Sequence, residues 1–297
     1  MTDAPIFSVV ITTYNRPEEL AGCLESLAAQ DCGRDAFEAI VVDDGGERPL
    51  DEVVDGFRGR LAVSLIRQTH GGAAKGRNTG AARARGRYLA FTDDDCRPDA
   101  GWLSALDRRL ARDPGVLAGG RTVNALGANL CSAASQLIVD VVYEHYNPDP
   151  ENARFFASNN MAMSAEEFRR LRGFDEGFDL HACEDRDLCD RWRHAGRRMV
   201  YAPDAVVRHG HQLSFTAFCR QHFAYGRGAV RFHRLRAERG SGRLAREVGF
   251  HFRVDRWLLR PFRESPATRA LPLAALLVVW QGANTAGYLY ERVTGRS

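Results

Sequence analysis

The sequence predicts an α/β fold: a mostly parallel sheet flanked by helices, followed by a helical, basic C-terminal extension. Three observations predict it. Short apolar runs rich in β-branched residues alternate with helix-length segments through residues 1–123. The chain has 297 residues, 44% hydrophobic and 27% charged, enough for a large domain with a buried core. Between Gly226 and Arg269, twelve arginines face four acids, a net +8 in a chain whose total is +3.

The elements follow in order. "FSVVIT" (7–12) is the first strand, and the turn "TYNR" leads into a helix with Pro17 near its start and Leu20, Leu24 and Leu27 on one face. "FEAIVV" (37–42) is a strand ending in "DDGG", and "LAVSLI" (61–66) is the third. A glycine turn at Gly71–Gly72 opens a helix to about Arg85. "RYLAFT" (87–92) is the fourth strand and ends in "DDD". "GWLSALDRRLA" reads as a helix, with Trp102 as core, and "VLAGGRTV" as a strand. "CSAASQLIVDVVYEHY" is the next helix, "FFASNNMAMS" a compact loop or strand pair, and "AEEFRRLRGFDEGF" a short helix and turn. "CEDRDLCDRW" puts acids first and Arg191, Arg193, Arg197 and Arg198 after them, which complements a helix macrodipole. Beyond Ser214 the chain is helical and basic, with a boundary expected near Tyr225–Gly228. No internal repeat or low-complexity linker intervenes.

Seven cysteines without a CxxC pair argue against a disulfide framework and for a reducing compartment. His181, Cys183 and Cys189 fit no common zinc spacing. The opening residues carry no signal-peptide pattern, so a cytoplasmic location is expected. "ALPLAALLVVW" (270–280) is shorter than the ~20 residues of a spanning helix and reads as a buried or interfacial helix. With Trp257, Leu258, Leu259 and Phe262 among arginines, the extension is expected to lie peripherally on a membrane, and a homodimer contact or a helix folded back on the domain are the competing uses of that surface. No recognition motif accompanies the charge, which excludes nucleic acid as the expected partner.

Parallel α/β sheets bind ligands beyond the carboxyl ends of their strands. Those ends carry "TTYN", "DDGG" and "TDDD" here. Adjacent carboxylates repel unless something positive lies among them. Asp93 and Asp95, two apart at a strand end, can share a hard divalent cation, Mg²⁺ or Mn²⁺. Asp43 or Asp44 can accept hydrogen bonds from a base or ribose, and a plain turn explains them equally well. "HGGAAKGRNTGAARARG" brings Lys75 and Arg77 to a helix start suited to an anion, without P-loop spacing. The four acids of "CEDRDLCDRW" serve either a helix start or chemistry.

"FSVVITTYNRPEELAGCLESL", "VVDDGG", "GRNTGAARARGRYLAFTDDDCRPDAGWL", "GFDEGF" and "CEDRDLCDRW" occur in that order. Together they resemble the family-2 inverting glycosyltransferases of the GT-A fold, over about residues 6–225. The resemblance implies a domain at 1–225, with a nucleotide-sugar half (1–123) and an acceptor half (124–225), ahead of an extension at 226–297. It implies a nucleotide-diphosphate sugar donor, expected to be a UDP-sugar, a divalent metal, and a saccharide or lipid-linked acceptor in cell-surface glycan or glycolipid synthesis. Thr13, Tyr14, Asp43 or Asp44, Arg77 and Asp94 then contact the donor nucleotide. Asp93, Asp95 and His209 hold the metal, with His211 as the fallback. Asp185 is the catalytic base and Glu184 its companion on the acceptor side, where Asn159 or Asn160 meets sugar hydroxyls. Two other readings share the α/β pattern. A nucleotidyltransferase would place a glycine-rich basic loop after the first strand, where this chain has "TTYNRPEEL". A non-catalytic binding module would be expected to have lost one of Asp93, Asp95 or Asp185.

Overall fold

Strands buried on both faces need continuous apolar runs, and β1 (Phe7–Thr13), β2 (Phe37–Asp43) and β4 (Tyr88–Asp93) have them. The computed structural model describes residues 4–178, 182–242, 249–251 and 253–295, so His181 lies outside the described residues. β1 runs parallel between β2 and β4, and β3 (Val63–Arg67) adds a parallel edge. Helices α1 (Pro17–Ala28), α2 (Asp51–Asp55), α3 (Gly72–Arg83) and α4 (Trp102–Arg112) accompany these strands.

The sheet then changes character. β5 (Cys96–Pro98), β6 (Leu117–Asn124), β7 (Met161–Ser164) and β8 (Met199–His209) complete an eight-stranded sheet of order β3-β2-β1-β4-β7-β6-β8-β5. β7 runs antiparallel to both β4 and β6, while β6 and β8 are parallel. "FFASNNMAMS" thus supplies a 3₁₀ turn (Ser158–Asn160) and one strand. β5 and α2 are additions to the elements read from sequence; each is too short for a periodic signal.

Helices α5 (Leu130–Tyr146), α6 (Ala165–Arg170), α7 (Glu184–His194) and α8 (Phe215–Arg239) follow. The tail adds α9 (Val254–Trp257), α10 (Arg260–Glu264) and α11 (Ala267–Thr294). α8 runs unbroken through Tyr225–Gly228, where a boundary was expected. α11 lies along α8 and shares an apolar cluster with α5, in which Ile138, Phe218, Leu277 and Trp280 meet. The crossing depends on two glycines. A Cβ on Gly226 would lie 1.9 Å from the Asn284 carbonyl oxygen, and one on Gly287 would lie 2.0 Å from that of Phe223.

The tail's arginines are largely spent on acids. Arg231 pairs with Asp175 at 2.9 Å, Arg236 with Asp190 at 3.0 Å, Arg239 with Asp187 at 2.8 Å, and Arg260 with Glu144 at 2.7 Å. The acids Asp187 and Asp190 therefore clamp α7 to α8. α11 is also longer than its apolar run, because Gln281, Asn284 and Gly287 continue the helix instead of ending it. Its 28 residues are long and apolar enough to cross a membrane by length and composition, and 39% of its most apolar window is buried against the protein.

Candidate active site

β1, β2 and β4 end side by side, so Thr13, Asp43 and Asp93 arrive at one edge of the sheet. Three consecutive carboxylates follow β4, and two arginines hold them. Arg16 Nη1 donates to Asp94 Oδ1 at 2.8 Å and Nη2 to Asp95 Oδ2 at 2.9 Å. Arg77, buried on α3, donates from Nη2 to Asp93 Oδ1 and from Nη1 to Glu184 Oε1, both at 2.9 Å. The Arg77 guanidinium also lies 5.6 Å from the Phe174 ring centroid. This arginine joins the sheet edge to α7, which starts at Glu184, far along the chain from Asp93.

Burial pushes the Asp94 carboxyl up to about 7, although Arg16 and the Thr13 hydroxyl, 2.7 Å away, favour its ionised form. Burial pulls Asp95 the same way. There the hydrogen bond and charge of His209, with Arg16, prevail and hold it below the usual carboxylate range. Burial disfavours the His209 imidazolium, but Asp95 outweighs it and raises that pKa.

Asp95, Cys96 and His209 offer ligand atoms within 4.8 Å of one another. His209 Nε2 lies 3.2 Å from Asp95 Oδ1, so a carboxylate and an imidazole converge on one point. Such a hard oxygen and nitrogen pair fits Mn²⁺ or Mg²⁺. Cys96 fits poorly, because a thiolate is a soft ligand unsuited to either ion, and burial raises its thiol pKa well above the ordinary value. Asp93 stands outside this group of three, with Oδ1 given to Arg77. His211 packs 5.2 Å from His209, ring to ring.

Just past β1, Tyr14 is exposed and packs against His70 with ring centroids 4.7 Å apart. Asp44 lines the cavity, but its oxygens already accept from the Gly71 and Gly72 amides at 2.9 and 2.8 Å and from Gln68 at 2.7 Å. It ties the loop before α3 to the end of β2. Asp43 is buried and accepts from the Gly46 amide at 3.0 Å.

Asp185 lies in the first turn of α7, after Cys183 in the left-handed conformation (φ +73°), a rare state for a non-glycine residue. Its Oδ1 accepts from the Arg186 amide at 2.7 Å. Half-buried at the cavity wall, its carboxyl is raised well above the usual range by burial and then by the charge of Glu184. Glu184 has one oxygen on Arg77 and the other buried without a partner, so it is a structural tie between α7 and α3. Asn160 is fully buried and saturated. It accepts from Trp102 Nε1 at 2.8 Å and donates to the Ala205 and Arg121 carbonyls at 3.0 and 3.1 Å. That removes Asn160 from acceptor binding and places Trp102 in the core. Asn159 lines the cavity and accepts from Thr122 Oγ1 at 3.3 Å.

One cavity of about 860 Å³ joins these groups, running from Tyr14 and Asp93–Asp95 past Asp185 to Trp280 and Tyr288 of α11. Sequence reasoning missed Arg16 and the α11 wall. Arg16 follows "TYN" directly, and the need for a cation among three carboxylates was the available signal. Nothing local marks the wall, which depends on tertiary packing.

A doubly flanked sheet with an acid cluster on its carboxyl edge, facing a carboxylate at a helix start, defines the GT-A class of nucleotide-sugar folds. Solved structures match it along nearly the whole chain. A mannosyltransferase from Pyrobaculum calidifontis, in complex with GDP-Man and Mn2+, superposes with a TM-score of 0.69 at 19% identity, covering 100% of this chain and 89% of that one. Staphylococcus aureus TarS 1–349 in complex with UDP-GlcNAc gives 0.59 at 19% identity, covering 98% and 91%. The family model for glycosyl transferase family 2 matches residues 8–172, and the chain belongs to that family. A second model, the N-terminal domain of galactosyltransferase, matches residues 138–213. The chain is 29% identical over 229 residues to the pre-mycofactocin glycosyltransferase of Mycobacterium tuberculosis, covering 75% of this chain and 46% of that protein. It is 33% identical over 152 residues to the validoxylamine A glucosyltransferase of Streptomyces hygroscopicus, covering 50% and 31%. The chain thus spans less than half the length of these relatives.

Proposed function

We propose that the protein transfers a sugar from a nucleotide-diphosphate sugar, a UDP-sugar in the first instance, to an acceptor hydroxyl with inversion at the anomeric carbon. The observation that carries this reading is the position of Asp185 at the wall of the cavity that also holds the Asp93–Asp95 edge. Asp185 takes the proton of the acceptor hydroxyl as its oxygen bonds to the anomeric carbon. The bond from that carbon to the diphosphate oxygen breaks, and the electron pair leaves with the nucleoside diphosphate. Asp95 and His209 would hold a divalent metal, with Asp93 beside them, and that ion would supply charge stabilisation for the departing diphosphate. Arg77 keeps Asp93 and Glu184 in place. Tyr14 packed on His70 offers a surface for the base, with Thr13 and Asp94 behind it.

Residues 1–123 would then serve the donor and residues 124–225 the acceptor, with 226–297 completing the acceptor side. A saccharide or lipid-linked acceptor suits a family-2 enzyme, and the exposed Leu271, Val278, Leu289 and Val293 of α11 support contact with a membrane surface or a second copy. The test is release of nucleoside diphosphate from UDP-Glc, UDP-Gal, UDP-GlcNAc and GDP-Man with Mn²⁺, for the wild type and Asp185→Asn. Turnover of one donor, lost in the variant, is expected. Turnover of none, or equal turnover by the variant, would overturn the assignment.

A further inference from the structure

Past Asp185 the cavity continues between α5, α8 and α11. Its wall there is aromatic, with Tyr143, Tyr225, Phe250, Trp280 and Tyr288 lining it. Among them sits His222, 2% exposed and lining the cavity, with no hydrogen-bond partner on either ring nitrogen among the described residues. Phe218 packs edge-on against the imidazole at 4.4 Å and Tyr225 at 5.6 Å. A second such group lines the same space: the Ser135 hydroxyl of α5 is buried without a partner among the described residues. Buried polar groups in folded proteins nearly always have partners, so an unpaired one lining a cavity is an atom that a ligand can satisfy. Burial pulls the His222 pKa down to about 4, so the ring is neutral near pH 7 and offers one donor and one acceptor.

Aromatic walls with isolated polar atoms suit a ligand that is apolar on its faces and polar at its rim. We propose that this chamber binds an acceptor that joins a hydroxylated ring to an aromatic one, the aromatic group against these side chains and His222 hydrogen-bonding one hydroxyl while another faces Asp185. The inference rests on the glycosyl-transfer reading and adds to it the class of acceptor and a binding residue supplied by α8. It introduces no further covalent step. It also gives the tail a purpose in the site, because Phe250, Trp280 and Tyr288 all lie beyond the expected boundary.

The experiment is calorimetric titration of 4-nitrophenyl β-glucoside, methyl β-glucoside and octyl β-glucoside (below its micellar concentration) into the full chain, with and without UDP and Mn²⁺. The aryl glucoside is expected to bind at least tenfold more tightly than the methyl and octyl compounds. His222→Phe, which keeps a buried ring, should weaken it at least tenfold, and His222→Gln should restore part of the loss. UDP affinity should stay within twofold in both variants. In the wild type, one His222 ring nitrogen should shift in the ¹⁵N NMR spectrum on saturation with the aryl glucoside. No aryl binding, no preference over the alkyl compounds, or an unmoved His222 signal would overturn the proposal. Aryl binding without UDP binding would instead overturn the donor reading and leave the chamber standing.

Discussion

The strand-end side of the cavity and its helical side are built in different ways. At the ends of β1, β2 and β4, acids and arginines satisfy one another within a short span of sheet, as Arg16 does for Asp94 and Asp95. On the other side, α5, α8 and α11 bring aromatic rings together from across more than 140 residues and leave His222 without a partner. The first region is charged, ion-paired and made from adjacent strands; the second is largely aromatic and made from distant helices. The difference teaches where each half's chemistry is fixed. Charge positions at the strand edge follow from strand order, whereas the aromatic wall exists only once the tail has docked.

Asp185 stands where the two regions meet, and Asp185→Asn should separate them most sharply. Loss of a general base is expected to lower kcat/KM on the order of 10³-fold, with UDP affinity within twofold of wild type. A parallel loss of UDP binding would mean that Asp185 belongs to the donor edge. Arg77→Met removes the cation between Asp93 and Glu184, leaving a buried carboxylate uncompensated. Unfolding in urea should show a loss of about 3 kcal/mol or more. Little change would show that the two sides hold together without that bridge. Gly287→Ala pushes a methyl group against the Phe223 carbonyl and should cost about 1–3 kcal/mol. It should also weaken acceptor turnover at least tenfold while UDP titrates normally, since only the helical side is disturbed.

The smallest effect is in pH. Asp185 must be ionised to accept a proton, and its pKa is raised by burial and by Glu184. Activity should therefore fall about tenfold per pH unit on the acid side of a midpoint near 7 and level off above it. A profile flat from pH 5 to 8 would place the base elsewhere.

Much of the strand-end side was legible in the sequence. Buried parallel strands need apolar runs, and their polar ends stand out against them, so the first four strands and the acids at their ends could be read directly, whereas the order of the strands in the sheet could not. The roles of single carboxylates were harder. Asp44 and Asn160 look identical in sequence to free ligands, yet the Gly71 and Gly72 amides consume one and Trp102 the other. The charge of the basic tail was hard to read for a related reason. Its arginines stand in excess along the chain, but Asp175, Asp187 and Asp190 neutralise several of them internally. Charge read along a chain carries no record of which partner folding supplies. The expected break at Tyr225–Gly228 failed because glycines there permit close helix packing instead of a turn.

The donor edge is the foundation for everything proposed here, and calorimetric titration of UDP tests it most directly. The titration is run with Mn²⁺, with EDTA, and with Asp95→Ala in Mn²⁺. Binding that requires Mn²⁺ and weakens at least tenfold in Asp95→Ala is expected. Binding unaffected by EDTA and by the substitution, or no binding under any condition, would contradict the assignment of Asp95 and His209 to a metal at a nucleotide-sugar site.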